Sequence, residues 1–263
     1  MSLTSTAPSP ATPLATGNAL ELEGVTRVFG ALRAIEDVSF AVAAGERRAV
    51  IGANGAGKTT LFNVITGDFQ ATSGRVRFFG EDVTTVPAYD RIRMGLRRTY
   101  QSSLLFRNLS VWDNLFLAVR GVARGRFDFR RPRAGHPSRA ATDELLQRVR
   151  LQAVAQRPVS SLSHGQQRQL EIGMALAGAP RLILLDEPAA GLSPAERREL
   201  VMLLTALPGH MGFILIEHDL DIALRVVQQV TVMHNGRVLK HGTPQQIEGD
   251  AEVAAIYMGG GRH

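Results

Sequence analysis

The run Gly52-Ala53-Asn54-Gly55-Ala56-Gly57-Lys58-Thr59 has the residue types and spacing of a phosphate-binding loop. Gly52, Gly55 and Gly57 free the backbone to turn its N–H groups inward around phosphate oxygens, with Asn54 and Ala56 carrying the loop between them. Lys58 adds a point charge for the β and γ phosphates, and the hydroxyl of Thr59, followed by Thr60, suits Mg²⁺. Such a loop works between a strand and the positive end of a helix. The short apolar run Arg48–Ile51 before it and the helix-compatible stretch from Lys58 to Gly67 after it supply both, which a chance glycine turn would lack.

A second chemical element is Leu182-Ile183-Leu184-Leu185-Asp186-Glu187, a buried strand that delivers two carboxylates at its end. By itself an acidic pair can simply finish a strand. Downstream of a phosphate loop, Asp186 is suited to bind Mg²⁺ directly or through water, and Glu187 to take a proton from an attacking water.

The elements that must position these groups are legible in outline. Ala19–Val42 alternates like an antiparallel hairpin turning at Gly30, and a further strand, Arg75–Phe79, follows a Ser73-Gly74 turn. Helical patterns at about 110–119 and 138–151 bracket a Gly- and Pro-containing stretch read as a loop. After them come a helix at about 166–177, the Asp-Glu strand, a helix opened by the capping box Ser193-Pro194-Ala195-Glu196, a strand Phe213–Ile216 and a helix from about Leu220. Paired strands Val230–Met233 and Arg237–Lys240 around Asn235-Gly236 precede a last short helical region opened by Thr243. Buried strands alternating with helices imply a mostly parallel sheet with helices packed on it.

Composition narrows the chemistry. The 263-residue chain contains no cysteine, so disulfides, Cys-ligated metal centres and thiol nucleophiles are excluded, and the zero is compatible with a reducing cytoplasm. No apolar run approaches the roughly 18 to 20 residues of a membrane-spanning helix. The first 18 residues, rich in Ser, Thr, Ala and Pro, are expected to form a flexible tail rather than a secretory signal. Seven arginines against one acid between Val119 and Arg139 account for the whole formal charge of +6, leaving the rest neutral. That distribution argues against a nucleic-acid-coating protein and for either a solvated surface insertion or a contact with anionic lipid or an acidic partner.

With these motifs in order, the sequence resembles the nucleotide-binding subunits of ATP-binding cassette (ABC) transporters over about residues 19–258, leaving tails at 1–18 and 259–263. The discriminating element is Leu162-Ser163-His164-Gly165-Gln166, similar to the family signature, commonly LSGGQ, and placed shortly before the Asp-Glu strand. The resemblance implies an α/β fold: a P-loop NTPase core with a mostly parallel sheet, an antiparallel β subdomain, and a small helical subdomain at about 102–165 that contains the basic insertion at about 119–139.

It also implies roles that spacing alone does not give. Phe29 matches the aromatic residue that stacks on adenine, the lesser alternative being a core phenylalanine on a hairpin. Gln101 matches the glutamine that senses Mg²⁺ or the attacking water, and His218, in Leu215-Ile216-Glu217-His218-Asp219, matches the histidine on the γ-phosphate. Ser163, Gly165 and Gln166 would serve a partner's nucleotide, a role compatible with the capping box that Ser163 to Gln166 also spells. The implied cofactors are ATP and Mg²⁺. The implied partners are membrane permease subunits, a second cassette as homodimer or heterodimer, and a periplasmic or extracellular substrate-binding protein, with no nucleic acid, at the cytoplasmic face of the inner or plasma membrane.

His164 stands where glycine is commoner, and Ser193 where many members have aspartate. Yet Ala189-Ala190-Gly191-Leu192, the Glu217-His218-Asp219 stretch, the long insertion and the ending Ile256-Tyr257-Met258-Gly259 resemble the branched-chain amino acid importer group. Urea and amide importers are similar. A soluble ABC ATPase acting on ribosome or nucleic acid, and a regulatory subunit with negligible turnover, are the alternatives from other classes.

Overall fold

The computed structural model describes residues 17–100, 105–122 and 136–259. Most of the expected N-terminal tail, Gln101, most of the arginine-rich stretch and residues 260–263 lie outside the described residues.

β1 (Asn18–Phe29) and β2 (Leu32–Ala43) form the expected antiparallel hairpin, β3 (Arg47–Ile51) leads into the phosphate loop, and α1 (Lys58–Thr66) leaves it. β4 (Ser73–Phe78) and β5 (Glu81–Asp82) complete an antiparallel sheet in the order β2-β1-β4-β5. Ser73 and Gly74 are therefore the start of a strand rather than a turn before it. The reason is close approach: Gly74, at φ +88°, lies where an added Cβ would be 2.3 Å from the Gly24 carbonyl oxygen, beside a register shift in the β1–β4 pairing.

Next come α2 (Ala88–Arg93), β6 (Leu96–Arg98), α3 (Val111–Val122), α4 (Pro137–Arg148), two short 3₁₀ turns, α5 (His164–Ala175) and β7 (Leu182–Asp186). The chain closes with α6 (Pro194–Thr205), β8 (Gly212–Ile216), α7 (Leu220–Val226), β9 (Gln229–His234), β10 (Arg237–Gly242), α8 (Pro244–Glu248) and α9 (Ala251–Gly259). The second sheet runs β10-β9-β3-β8-β7-β6, parallel except for the β9–β10 hairpin. That hairpin turns through Asn235 at φ +48° and Gly236 at φ +77°, the backbone that an Asn-Gly pair adopts most readily.

Both faces of the parallel sheet are covered, and the strands show why their sequences are continuously apolar. Ala49, Ile51, Ile183, Leu185, Phe213 and Leu215 face a core built with α3 to α7, including Leu115, Val149, Leu170 and Leu204. Their alternates Val50, Leu182, Leu184, Ile214 and Ile216 face α1 and the antiparallel sheet through Leu61, Phe62, Ile65, Val25 and Val38. Register does the positioning: Val50 pairs with Ile216 and Asp186 with Ile216, so β3, β7 and β8 end level. The residues just beyond them, Gly52 onward, Glu187 and Glu217-His218, emerge together in the crevice at the strand ends.

Candidate active site

Two glycines of the phosphate loop are dictated by contact. An added Cβ at Gly52 would lie 2.3 Å from the Met233 carbonyl oxygen, and one at Gly57 would lie 2.5 Å from that of Ala34. Gly57 is also the residue before α1, at φ +95° with no side-chain cap, so the first N–H groups of that helix are left for a ligand. The loop bounds a cavity of about 520 Å³ whose wall includes Asn54 to Thr60, Glu187, His218, and the turn-flanking residues Leu32, Arg33, Ala34, Asn235 and Gly236. Lys58 is buried, its ammonium donating to the carbonyls of Gly52 (2.7 Å) and Ala53 (3.0 Å). Burial pushes its pKa down, while Glu187 and Asp186 oppose the shift.

Glu187 follows β7 at φ +48°, a left-handed conformation that a non-glycine residue adopts only when its surroundings hold it. Its N–H donates to the Ile216 carbonyl (2.9 Å), and its Oε1 is 2.7 Å from His218 Nε2. Behind that pair sits Glu217, which sequence reasoning quoted but gave no task. Its carboxylate is buried and accepts from the backbone N–H groups of Ala189 (2.7 Å) and His218 (3.2 Å). Burial raises the pKa of Glu217, and these N–H groups counter it. The signal that pointed to it was an acid directly after a wholly apolar strand.

Asp186 is fully buried, and its Oδ2 pairs with Arg98 at 2.6 Å. Burial raises its pKa, with the Arg98 guanidinium opposing. Its other oxygen, Oδ1, is buried with no hydrogen-bond partner. A buried carboxylate oxygen with no hydrogen-bond partner is a donor that fits a hard cation. Among the described residues there is no group of three or more His, Asp or Glu side chains that could hold a metal ion. Arg98, absent from the sequence-derived candidates, sits at the end of β6, a three-residue strand too short to show a period.

Phe29 is not a core residue: it ends β1 37% exposed, with the Arg27 guanidinium 4.4 Å from its ring centroid and the Phe69 ring edge-on at 5.3 Å. It stands outside the cavity wall, where Leu32 from the same hairpin takes part. Ser163 caps α5, its hydroxyl accepting from Gln166 N–H (3.2 Å) while Gln166 Oε1 accepts from Ser163 N–H (3.1 Å). Ser163 and His164 are exposed, and the cavity wall includes none of Ser163, Gly165 or Gln166. Gln101 falls outside the described residues.

The ABC transporter family profile matches residues 35–190. The chain belongs to the ABC transporter family. It is 36% identical over 248 residues to the high-affinity branched-chain amino acid transport ATP-binding protein BraF of Pseudomonas aeruginosa, covering 91% of this chain and 97% of that one. Identity to the corresponding protein LivG of Escherichia coli K12 is 36% over 250 residues, with the same coverage. The lipopolysaccharide export ATP-binding protein LptB of Haemophilus influenzae is 29% identical, again over 91% of this chain. A solved nucleotide-free cassette of an ABC transporter superposes with a TM-score of 0.81 at 30% identity, covering 91% of this chain and 98% of its own. Another, in its ADP conformation, gives 0.80 at 30% identity over 93% of this chain and 100% of its own. The α/β P-loop architecture is thus that of an ABC ATPase, and this cassette is a nucleotide-binding, ATP-hydrolysing subunit of a kind that pairs and works with membrane permeases. Among the described residues no helix is long and apolar enough to cross a membrane.

Proposed function

We propose that this cassette closes with a second one around ATP and Mg²⁺ and drives uptake of branched-chain amino acids through permease subunits, from the cytoplasmic face of the membrane. The observation that carries the hydrolytic part is the meeting of Lys58, Thr59, Glu187 and His218 in one cavity, with His218 bonded to Glu187. Lys58 and the loop N–H groups bind the phosphates, Phe29, paired across the hairpin with Leu32 of the cavity wall, would stack on the adenine, and Thr59, Gln101 and Asp186 would hold Mg²⁺, which neutralises phosphate charge when bound. Glu187 takes a proton as the water oxygen bonds to the γ-phosphorus and the bond to the ADP oxygen breaks. His218 fixes the Glu187 carboxylate and reaches the γ-phosphate from the same side.

The paired arrangement is supported by what the cavity lacks. Ser163, Gly165 and Gln166 form a capped helix start outside the cavity wall, and in the paired reading they serve the nucleotide of the partner cassette. The substrate reading rests on the two importer relatives, and a dedicated binding protein outside the membrane would deliver the amino acid.

Membrane vesicles holding the cassette with its permeases are expected to accumulate leucine, isoleucine or valine when ATP is on the cassette side, and to lose this with Lys58→Ala. ATP-dependent uptake of urea or an amide instead would overturn the substrate; co-purification with ribosomal partners and no permease would overturn transport.

A further inference from the structure

Glu196 lies in the first turn of α6, and its carboxylate spans two helix starts. Its Oε2 accepts from the Ser193 N–H (3.0 Å) and hydroxyl (2.8 Å), closing the capping box of its own helix. Its Oε1 crosses to α5, where the Ser163 hydroxyl (3.0 Å) and the Gly165 N–H (2.8 Å) both donate to it. A hydroxyl and a free N–H at the positive end of a twelve-residue helix are an anion site, and here the chain fills it with its own anion. The fit is close: a Cβ added at Gly165 would be 2.6 Å from the Glu196 carboxylate. The hydrogen bonds from Ser193, Gly165 and Ser163 push the Glu196 pKa down to about 2, so the group is charged at any neutral pH.

We propose that the Glu196 carboxylate is a built-in competitor for the phosphate site of the signature helix: it occupies Ser163 and Gly165 in the separate cassette and must leave before a partner's ATP is enclosed. The inference rests on the paired-cassette reading above, in which those two donors hold the partner's γ-phosphate. The movement needed is small. Turning Oε1 away breaks the two bonds to α5 while Oε2 keeps both bonds to Ser193, so the cap of α6 survives the exchange. A γ-phosphate, with more charge and more acceptor oxygens than a carboxylate, takes the vacated donors. The carboxylate therefore sets a threshold that nucleotide has to exceed before two cassettes close.

The test uses the full chain carrying Glu187→Gln, which binds ATP without turning it over, and follows association by light scattering against Mg-ATP concentration. Adding Glu196→Gln removes the charge, while a glutamine still closes a capping box. The half-association ATP concentration is expected to fall about fivefold at low salt, with the difference shrinking at high salt as surface charge is screened. Glu196→Ala is expected to shift the midpoint the same way, with a lower melting temperature from the lost cap. An unchanged or raised midpoint in Glu196→Gln overturns the inference and makes the carboxylate a brace for the signature helix. Absence of ATP-driven association in the Glu187→Gln parent overturns the paired reading itself, and this inference with it.

Discussion

At φ +48°, Glu187 stores backbone strain at the point where its carboxylate must meet His218, and the strain is held by neighbours rather than by its own preference. Replacing it with glutamine leaves the loop, Lys58 and Thr59 untouched. We expect Glu187→Gln to bind ATP as the parent does and to lose about 10²-fold or more in turnover, checked by phosphate release alongside nucleotide titration. Glu217 works one step behind. Because it ties the Ala189 N–H to the His218 N–H, it fixes the loop after Glu187 relative to the residue that contacts Glu187. Glu217→Ala is expected to lower kcat by about tenfold with KM for ATP unchanged, since its side chain is not part of the cavity wall. A rise in KM with kcat intact would show that it acts on binding instead. His164, the residue that departs from the commoner glycine, packs against the same loop: a Cβ at Gly191 would be 3.0 Å from its ring. The departure links the start of α5 to the segment that follows Glu187.

Among the elements, β6 is short but decides the environment of Asp186. It pairs in parallel with β7 at the sheet edge, Arg98 opposite Leu184, and this register brings the guanidinium to the buried carboxylate two residues along. The pair is nearly dry, with side-chain exposures of 5% and 0%, so its value lies in not leaving either charge alone. Arg98→Leu is expected to cost about 3 kcal/mol at neutral pH, measured by denaturant unfolding. The cost should shrink toward acid. Burial already raises the Asp186 pKa, so without Arg98 the folded protein takes up a proton there more readily than the unfolded chain and loses the unpaired charge as pH falls. A pH-independent deficit would mean that lost packing, rather than the stranded carboxylate, accounts for the change.

At the scale of the molecule, the cavity with its loop, Glu187 and His218 and the capped helix start at Ser163 outside its wall are, in the proposed pairing, halves of two different sites. Catalysis that needs both halves needs two molecules. Turnover per cassette is therefore expected to rise with protein concentration in dilute solution and level off once association is complete, as measured by phosphate release across a dilution series. Constant specific activity down to the lowest concentration would show that one cassette suffices. The layered core explains why the halves keep their places: alternate residues of β3, β7 and β8 lock one sheet face to α3 to α7 and the other to α1 and the antiparallel sheet.

The sequence by itself determined what depends on local spacing. The glycine loop between strand and helix, the buried strand ending in Asp186-Glu187, the capping boxes at Ser163 and Ser193 and the Asn235-Gly236 hairpin are each written in a few consecutive residues, and each is present. The order of these motifs also pointed to the family. Tertiary structure decided the rest, because it depends on residues far apart in the chain. Strand register brought His218 to Glu187 and Arg98 to Asp186, and helix packing set Glu196 on Ser163 and Gly165. A carboxylate near a helix start reads in sequence only as the cap of its own helix; that Glu196 also reaches the neighbouring one follows from how α5 and α6 pack, which no local pattern records.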